Sequence, residues 1–165
     1  MSFGNTAKDG SGTAYWLLLN TLGQLIIDAG WTPELQAEES GNDSDKTLTV
    51  PANEEWIVKS IWIELATTAT AGNRQLVVEI QDDAADVIAQ FRLGIVQAAS
   101  LTRYYQLAPQ LINMTAFIDT DFLTMPIPEI YLPASYVVRI YDNNAVDAAA
   151  DDMVIQMMIS KRSVP

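Results

Sequence analysis

From Lys46 onward the chain alternates between apolar and polar positions with a period of two, the pattern of half-buried β-strands. The alternating stretches are short, and Gly, Asn, Asp and Pro, residues that favour turns, separate them. We predict strands over residues 47–50, 56–67, 75–82, 87–96, 102–107, 122–125, 129–132, 136–142 and 153–160. No segment in this part of the chain convincingly shows the period of an amphipathic helix.

The longest predicted strand, 56–67, changes phase in its middle. Its apolar residues after position 60 share one face, and those before position 59 fit the opposite phase: Ile61, Ile63 and Leu65, then Trp56 and Val58. A β-bulge adds one residue to a strand and reverses the phase of the residues beyond it. We therefore predict a bulge near Lys59 and Ser60 that turns both sets toward the core.

Short strands with frequent turn signals indicate a sandwich of two sheets. The segments 75–82 and 87–96 are joined by a turn of five polar or small residues, 82–86, and predict an antiparallel hairpin. The Pro-rich stretch 108–133 indicates edge strands and crossover connections, which suit Greek-key wiring better than a meander. The predicted fold is all-β, an antiparallel β-sandwich of jelly-roll or Greek-key type over residues 47–165.

The N-terminal part has a different composition. Residues 1–14 are small and polar and predict a flexible arm, and the apolar runs 15–19 and 25–27 predict a β-hairpin, with a helix as the competing interpretation. A lone hairpin is marginal in water, so we expect residues 1–30 to dock on the main body or on another subunit. Residues 31–46 carry five acids, one Pro and a Gly-Asn-Asp cluster and predict an acidic linker.

The composition excludes several kinds of chemistry. The chain has no His and no Cys, so Ser-His-Asp and Cys-His nucleophile systems are excluded and disulfides are unavailable. A net charge of −12 opposes binding to a nucleic-acid backbone. No apolar run approaches the ~20 residues of a membrane span, and no secretory signal pattern is visible at the N-terminus. We expect no enzyme, no nucleic-acid partner and no membrane partner.

Two acidic clusters are the candidates for a cation site: Asp82, Asp83 and Asp86, and Asp142, Asp147, Asp151 and Asp152. Oxygen-rich loops bind Ca²⁺, and paired carboxylates also serve glycoside hydrolysis. Asp and Asn are equally the ordinary residues of turns, and no fixed ligand spacing is present. We interpret both clusters as turns and expect no cofactor, with Ca²⁺ as the alternative.

Aromatic residues are the candidates for binding. A sugar-stacking platform is one interpretation of Trp16, Trp31, Trp56, Trp62, Tyr104, Tyr105, Tyr131, Tyr136 and Tyr141. Because strands favour aromatic residues in any case, we interpret most as core or interface, Trp56 and Trp62 among them. Trp31 lies beside the linker, where burial against a partner is the hypothesis. Met153, Met157 and Met158 are interpreted as core, with a subunit interface as the alternative.

Several motifs of the chain resemble those of structural proteins of tailed bacteriophages. Residues 50–58, V-P-A-N-E-E-W-I-V, resemble the opening V-P-A-G-x-x-W-x-V, and residues 67–78 resemble the hairpin T-T-x-x-x-G-N-R-x-L-x-V. Similar stretches occur at 97–104, 132–142 and 149–153, and the leader at 9–19 resembles G-x-G-x…L-L-V-x-x-x-G-x-L. Asn53 stands where Gly is usual, and Asn also adopts the left-handed conformation readily.

This resemblance implies a jelly-roll β-sandwich in a virion. We expect a capsid decoration or cement protein on the capsid exterior, assembled in the host cytoplasm, with the major capsid protein as partner and a homotrimer as the oligomer. The expected partner-binding residues lie in and beside the N-terminal hairpin: Phe3, Tyr15, Trp16, Leu18, Leu25, Ile27 and Trp31. The alternative is a tail or connector component, or a carbohydrate-binding module for host adhesion.

Overall fold

The computed structural model describes residues 6–8, 14–16, 30–38, 43–111 and 119–164. They belong to two compact units, residues 1–31 and residues 32–165. All regular structure in the described residues is β, so none of it is a helix that could span a membrane. The strands are β1 (Thr6–Lys8), β2 (Ala14–Trp16), β3 (Thr32–Glu38), β4 (Asp45–Thr49), β5 (Glu54–Ala66), β6 (Leu76–Gln81), β7 (Val87–Arg92), β8 (Thr102–Ala108), β9 (Phe122–Pro126), β10 (Ile130–Leu132), β11 (Val137–Asp142) and β12 (Asp152–Ser163).

In the first unit β1 and β2 pair antiparallel, with Thr6 opposite Trp16 and Lys8 opposite Ala14. The stretch predicted as a flexible arm therefore contains a strand, and the pairing begins upstream of the predicted hairpin. The small polar residues of β1 have no apolar alternation, so the sequence pattern contained no strand signal there. The predicted hairpin runs beyond Trp16 lie outside the described residues.

The second unit has two sheets. The larger sheet has the order β3-β12-β5-β8-β9, with β10 on the N-terminal half of β5, and the smaller has the order β4-β11-β6-β7. If β9 and β10 are set aside, each sheet has four strands, and in each sheet an early strand of the unit lies beside a late one. This strand order is that of a jelly roll. Buried residues of both sheets form one hydrophobic cluster. The predicted all-β sandwich of jelly-roll type is confirmed.

One strand pair departs from the antiparallel prediction, because β9 runs parallel to β8. It is the edge of the larger sheet, and Pro126 ends it. Proline lacks the N–H that a central strand needs, so this position at an edge agrees with the Pro-rich sequence. The predicted antiparallel hairpin is confirmed as β6 and β7.

The predicted bulge in β5 is confirmed at Lys59. Met158 of β12 pairs with Ser60, and the next residue, Ile159, pairs with Val58, so Lys59 is the extra residue. The bulge turns both apolar sets inward, and all five side chains are at most 2% exposed: Trp56, Val58, Ile61, Ile63 and Leu65. Complete burial of a large apolar side chain contributes about 1.5–3 kcal/mol. The bulge is therefore important for stability, because it lets both apolar sets of β5 be buried at once.

The acidic linker prediction needs correction. Residues 32–38 form β3, which pairs antiparallel with β12 along its whole length. As an edge strand it presents polar residues and Pro33 to solvent, and such edges resemble loops in sequence. Nζ of Lys161 lies 2.7 Å from Glu34 Oε2 and 3.1 Å from Glu54 Oε1, which ties β3 to β5 through β12. The sandwich therefore begins at Thr32.

Candidate functional site

The larger sheet presents an aromatic cluster on its outer face. In β5 the residues on either side of Trp62 point into the core, so its own side chain points outward. Trp62 pairs with Gln106 of β8, and Tyr104 of β8 pairs with Phe122 of β9. The register therefore places three aromatic side chains from three adjacent strands side by side.

The three rings are in mutual contact. The Trp62 and Tyr104 centroids are 5.5 Å apart with planes at 26°, and the Tyr104 and Phe122 centroids are 4.6 Å apart with planes at 19°. The Trp62 and Phe122 centroids are 6.2 Å apart with planes at 44°. These separations lie in the range of favourable aromatic pairs. The rings form one compact anchor instead of a row of separate flat surfaces.

A groove of ≈ 280 Å³ runs beside the cluster. Polar side chains of its lining are Gln106, Asp119 and Thr124. The Oγ1 atom of Thr124 is buried and has no hydrogen-bond partner. A buried hydroxyl without a partner costs free energy.

Charge is scarce in the central rows of this face. The row through Trp62 crosses five strands as Ala37, Gln156, Trp62, Gln106 and Thr124, and it contains no charged residue. The neighbouring row through Tyr104 includes one acid, Glu64. The apolar residues Leu35, Met158 and Phe122 are 51%, 43% and 43% exposed. In a chain of net charge −12, a weakly charged patch with exposed apolar residues is typical of a protein-binding surface.

The outer face of the smaller sheet is polar, and its groups bind one another. Glu79 accepts hydrogen bonds from Gln90 (2.9 Å) and from Tyr141 (3.0 Å). Arg139 pairs with Asp45 and lies over the Tyr141 ring, 4.6 Å from its centroid. The hydrogen bond to Asp45 raises the pKa of Arg139, and burial raises the pKa of Tyr141. Because these groups already satisfy one another, this face offers few of them to a partner.

The acidic loop 142–152 is bound to its own chain. Both carboxylate oxygens of Asp142 accept backbone N–H groups, from Gln75 (2.7 Å) and Val146 (2.9 Å). Asp147 accepts the hydroxyls of Thr68 (2.6 Å) and Thr70 (2.7 Å), which lower its pKa. Among the described residues no group of three acidic side chains is arranged to hold a metal ion.

The other acidic cluster is a turn. Oδ1 of Asp82 accepts the backbone N–H groups of Ala84 and Asp86, both at 2.9 Å. This is the local bonding by which Asp stabilises turns. The interpretation of both clusters as turns agrees with these contacts.

The structure describes only some of the predicted partner-binding residues. Tyr15 and Trp16 belong to β2, and Trp31 is half-buried immediately before β3. Phe3, Leu18, Leu25 and Ile27 lie outside the described residues. Their role in partner binding stays a prediction.

The aromatic candidates separate into two groups. Trp56 and Tyr105 are buried core residues, in agreement with the prediction for Trp56. Trp62 is outside the core, so of the two roles in the core-or-interface prediction only the interface role fits it. The sequence contained the signal, because Trp62 alternates with Ile61 and Ile63. Phe122 was missed because nothing in the sequence indicated that β9 adds to β8.

Met153 and Met157 are core residues, as predicted, whereas Met158 is 43% exposed on the outer face of the larger sheet. The apolar side chain of Met158 therefore belongs to the same surface as the aromatic cluster.

Comparison with known proteins gives few relatives. No family model matches the sequence, and no curated protein matches it. An arabinose-bound α-L-arabinofuranosidase is similar in structure at 13% identity and a TM-score of 0.32, over 82% of this chain and 23% of that one. A chain of infectious bursal disease virus, Gx strain, is similar at 6% identity and a TM-score of 0.30, over 97% of this chain and 46% of that one. The chain thus spans less than half the length of either protein.

Proposed function

We propose that this chain is a structural virion protein, a capsid decoration or cement protein of a tailed bacteriophage. The observation that carries the proposal is the weakly charged aromatic patch in the centre of the outer face of the larger sheet, in a jelly roll of net charge −12. The motif resemblance to phage structural proteins supports the placement in a virion. A jelly roll by itself hosts many functions, so the argument rests on this face and on those motifs.

In the proposed mechanism the outer face of the larger sheet meets the major capsid protein. Trp62, Tyr104 and Phe122 form the anchor, and Leu35 and Met158 extend the contact. Interface binding energy concentrates in a few central aromatic residues, with weaker contacts around them. Residues 1–30 reach a neighbouring subunit, and the symmetry of the shell multiplies many weak contacts into stable attachment. The chain has a binding role in this mechanism and catalyses no reaction.

The anchor is tested by cosedimentation of the purified chain with phage capsids that lack it. Trp62→Ala and Phe122→Ala should each weaken binding about tenfold or more, since interface aromatics cost over ~2 kcal/mol when truncated. Tyr141→Ala is the matched control, because it removes a half-buried ring from the opposite sheet. If Trp62→Ala and Phe122→Ala bind capsids as tightly as Tyr141→Ala and the unmodified chain do, the outer face takes no part in binding.

The N-terminal contribution has a separate test. Deletion of residues 1–30 leaves the second unit with its whole hydrophobic core, so the sandwich should remain folded. We expect this deletion to abolish capsid binding, and Trp31→Ala to weaken it. A deletion variant that binds capsids as the full chain does would show that the N-terminal residues are not the attachment.

A carbohydrate-binding module for host adhesion is the second candidate. The groove beside the aromatic cluster favours it, since Gln106, Asp119 and Thr124 supply the hydrogen-bonding groups that sugars need. The compact triangle of rings favours a protein anchor instead, because the rings cover one another. A glycan array with and without Ca²⁺ separates the two candidates, and specific glycan binding would replace the decoration proposal.

A further inference from the structure

The edge strands at the ends of the two sheets, β3, β9, β4 and β7, are unequally protected against pairing with another strand. β3 carries Pro33 and Glu34, and β9 ends at Pro126. β4 has five residues and begins with Asp45, which is paired with Arg139. Proline, charge and short length are the usual devices that block edge pairing. β7 has no Pro and no charged residue before Arg92, so of these four edges it is the least protected by proline or charge, and its irregularity at Ile88 leaves residues 89–92 as the regular part of the edge.

The exposed residues of β7 are apolar. Val87 is 54% exposed and Ile88 is 53% exposed, the two highest values among the exposed large hydrophobic residues described. The pairing of β7 with β6 is irregular at one point: Ala89 pairs with Ile80 and Val87 pairs with Gln81, so Ile88 has no partner in β6. Residues 89–92 pair with β6 in regular register. Within the described residues β7 has a strand neighbour on one side only. Within the described part of the chain, the outward backbone groups of residues 89–92 are therefore available to another strand.

The two ends of β7 carry opposite charges. Asp86 directly precedes the strand and Arg92 ends it. Nε of Arg92 donates to Oε1 of Gln90 at 2.8 Å, and within the described residues neither Asp86 nor Arg92 forms an ion pair. The two residues stand about 20 Å apart along an extended chain, since each residue advances ~3.4 Å. They cannot neutralise each other within one copy.

We propose that two copies of this chain pair antiparallel through β7, about a two-fold axis near Gln90. This arrangement places Asp86 of each strand opposite Gly94 of the other, so Arg92 of that other strand is the diagonal neighbour of Asp86 and its long side chain can reach the carboxylate. It also covers the exposed Val87 and Ile88 and joins the two smaller sheets into one. A two-fold contact uses the same patch twice, which is the commonest symmetry of soluble oligomers. The inference is independent of the virion proposal.

The mass in solution tests the pairing first. At ionic strength 0.15 M, where charges are screened beyond ~8 Å, the net repulsion between two acidic copies is reduced. Light scattering after size exclusion should give twice the chain mass of 18.1 kDa. Ile88→Lys should give the monomer, and Met158→Lys, which places the same charge on the other sheet, should leave the dimer. A monomer or a trimer for the unmodified chain would overturn the proposal, and the trimer would support the expectation from the phage resemblance.

Cysteine cross-linking locates the axis. The chain has no Cys, so a single introduced thiol has only its symmetry mate to pair with. Under mild oxidation Gln90→Cys should form a covalent dimer. Thr47→Cys, an exposed position on the opposite edge of the same sheet, should remain monomeric on a denaturing gel. Equal cross-linking at both positions, or none at Gln90, would contradict pairing through β7.

Charge reversal tests the predicted contact between the strand ends. Asp86→Arg and Arg92→Asp should each weaken dimerisation about tenfold, because each places like charges opposite one another. The double variant restores opposite charges across the axis and should dimerise nearly as well as the unmodified chain. Since the two residues are too far apart to meet within one copy, this rescue can come only from contact between copies. A double variant weaker than both single variants would refute the arrangement.

Discussion

Arg74 and Asp151 form a two-pronged ion pair that is wholly shielded from solvent. Nε of Arg74 donates to Oδ2 of Asp151 at 2.6 Å, Nη2 donates to Oδ1 at 3.1 Å, and both side chains are 0% exposed. The remaining donors of Arg74 bind the carbonyls of Thr70 and Gly72 and the hydroxyl of Thr68. The pair thus fastens the connection between β5 and β6 to the loop before β12.

Removal of one partner of this pair should be strongly destabilising. Arg74→Met leaves the Asp151 carboxylate buried without its cation, which typically costs about 3–5 kcal/mol. Lys59→Met is the control, since Lys59 and Glu129 pair at the surface and such pairs contribute about 1 kcal/mol or less. Urea denaturation measures both losses. A similar loss for the two variants would mean that the buried pair is not important for stability.

The acid stability of the protein should depend on Glu79. Burial raises the pKa of Glu79, but hydrogen bonds from Gln81, Gln90 and Tyr141 and the charge of Arg139 outweigh it, so the pKa lies below the ordinary 4.5. A lowered folded-state pKa stabilises the fold above the unfolded value, and this contribution disappears as the pH falls through the folded pKa. The stability difference between the unmodified chain and Glu79→Gln should therefore shrink on acidification below about pH 4.5. Urea denaturation between about pH 3 and pH 6 checks it, and a difference that does not vary with pH would contradict the assignment.

Two tryptophans of β5 should respond differently to truncation. Trp56 is 2% exposed in the core, so Trp56→Ala should cost about 3–5 kcal/mol of unfolding free energy. Trp62 lies on the outer face and keeps part of its surface in solvent, so Trp62→Ala should cost less than half as much. Chemical denaturation of both variants under the same conditions measures the two losses of unfolding free energy. Equal losses would place Trp62 in the core and remove it from the proposed anchor.

The bulge at Lys59 can be tested by deletion. Loss of this one residue reverses the phase of the preceding segment and turns Trp56 and Val58 away from the core. Two large side chains then lose their burial, at about 1.5–3 kcal/mol each. Lys59→Ala keeps the extra residue and should change stability by less than ~1 kcal/mol. Circular dichroism during urea titration separates the two, and a deletion variant as stable as Lys59→Ala would show that the register adjusts.

Local alternation of apolar and polar residues was enough to predict the bulge and the half-buried strands. The bulge was predictable because Val58 and Ile61 are both apolar but out of phase, and only an extra residue reconciles them. β11 and β12 were predictable because one face of each is more deeply buried than the other, and β7 because Ala89 and Phe91 are partly buried between exposed residues, whereas β6 was predictable from its apolar alternation although both of its faces are buried. The strands with weak alternation were missed: β1 is short and polar, and β3 presents acids and Pro33 to solvent as an edge.

The candidate site depends on contacts between distant segments, which local patterns do not contain. Trp62, Tyr104 and Phe122 meet only because β8 and β9 add to β5 in a particular register. The bonding of Asp151 was equally hidden, since its partner Arg74 lies 77 positions away. The sequence therefore predicted turns for the acidic loops but not the donors from distant parts of the chain that bind several of their carboxylate oxygens.

The number of copies in purified virions that encode this chain tests the central proposal most directly. Quantitative mass spectrometry against the major capsid protein gives that number. A decoration protein that covers a symmetric shell should be present at on the order of hundreds of copies per particle. A handful of copies would assign the chain to the tail or connector, and its absence from purified particles would contradict the proposal that it is a structural virion protein.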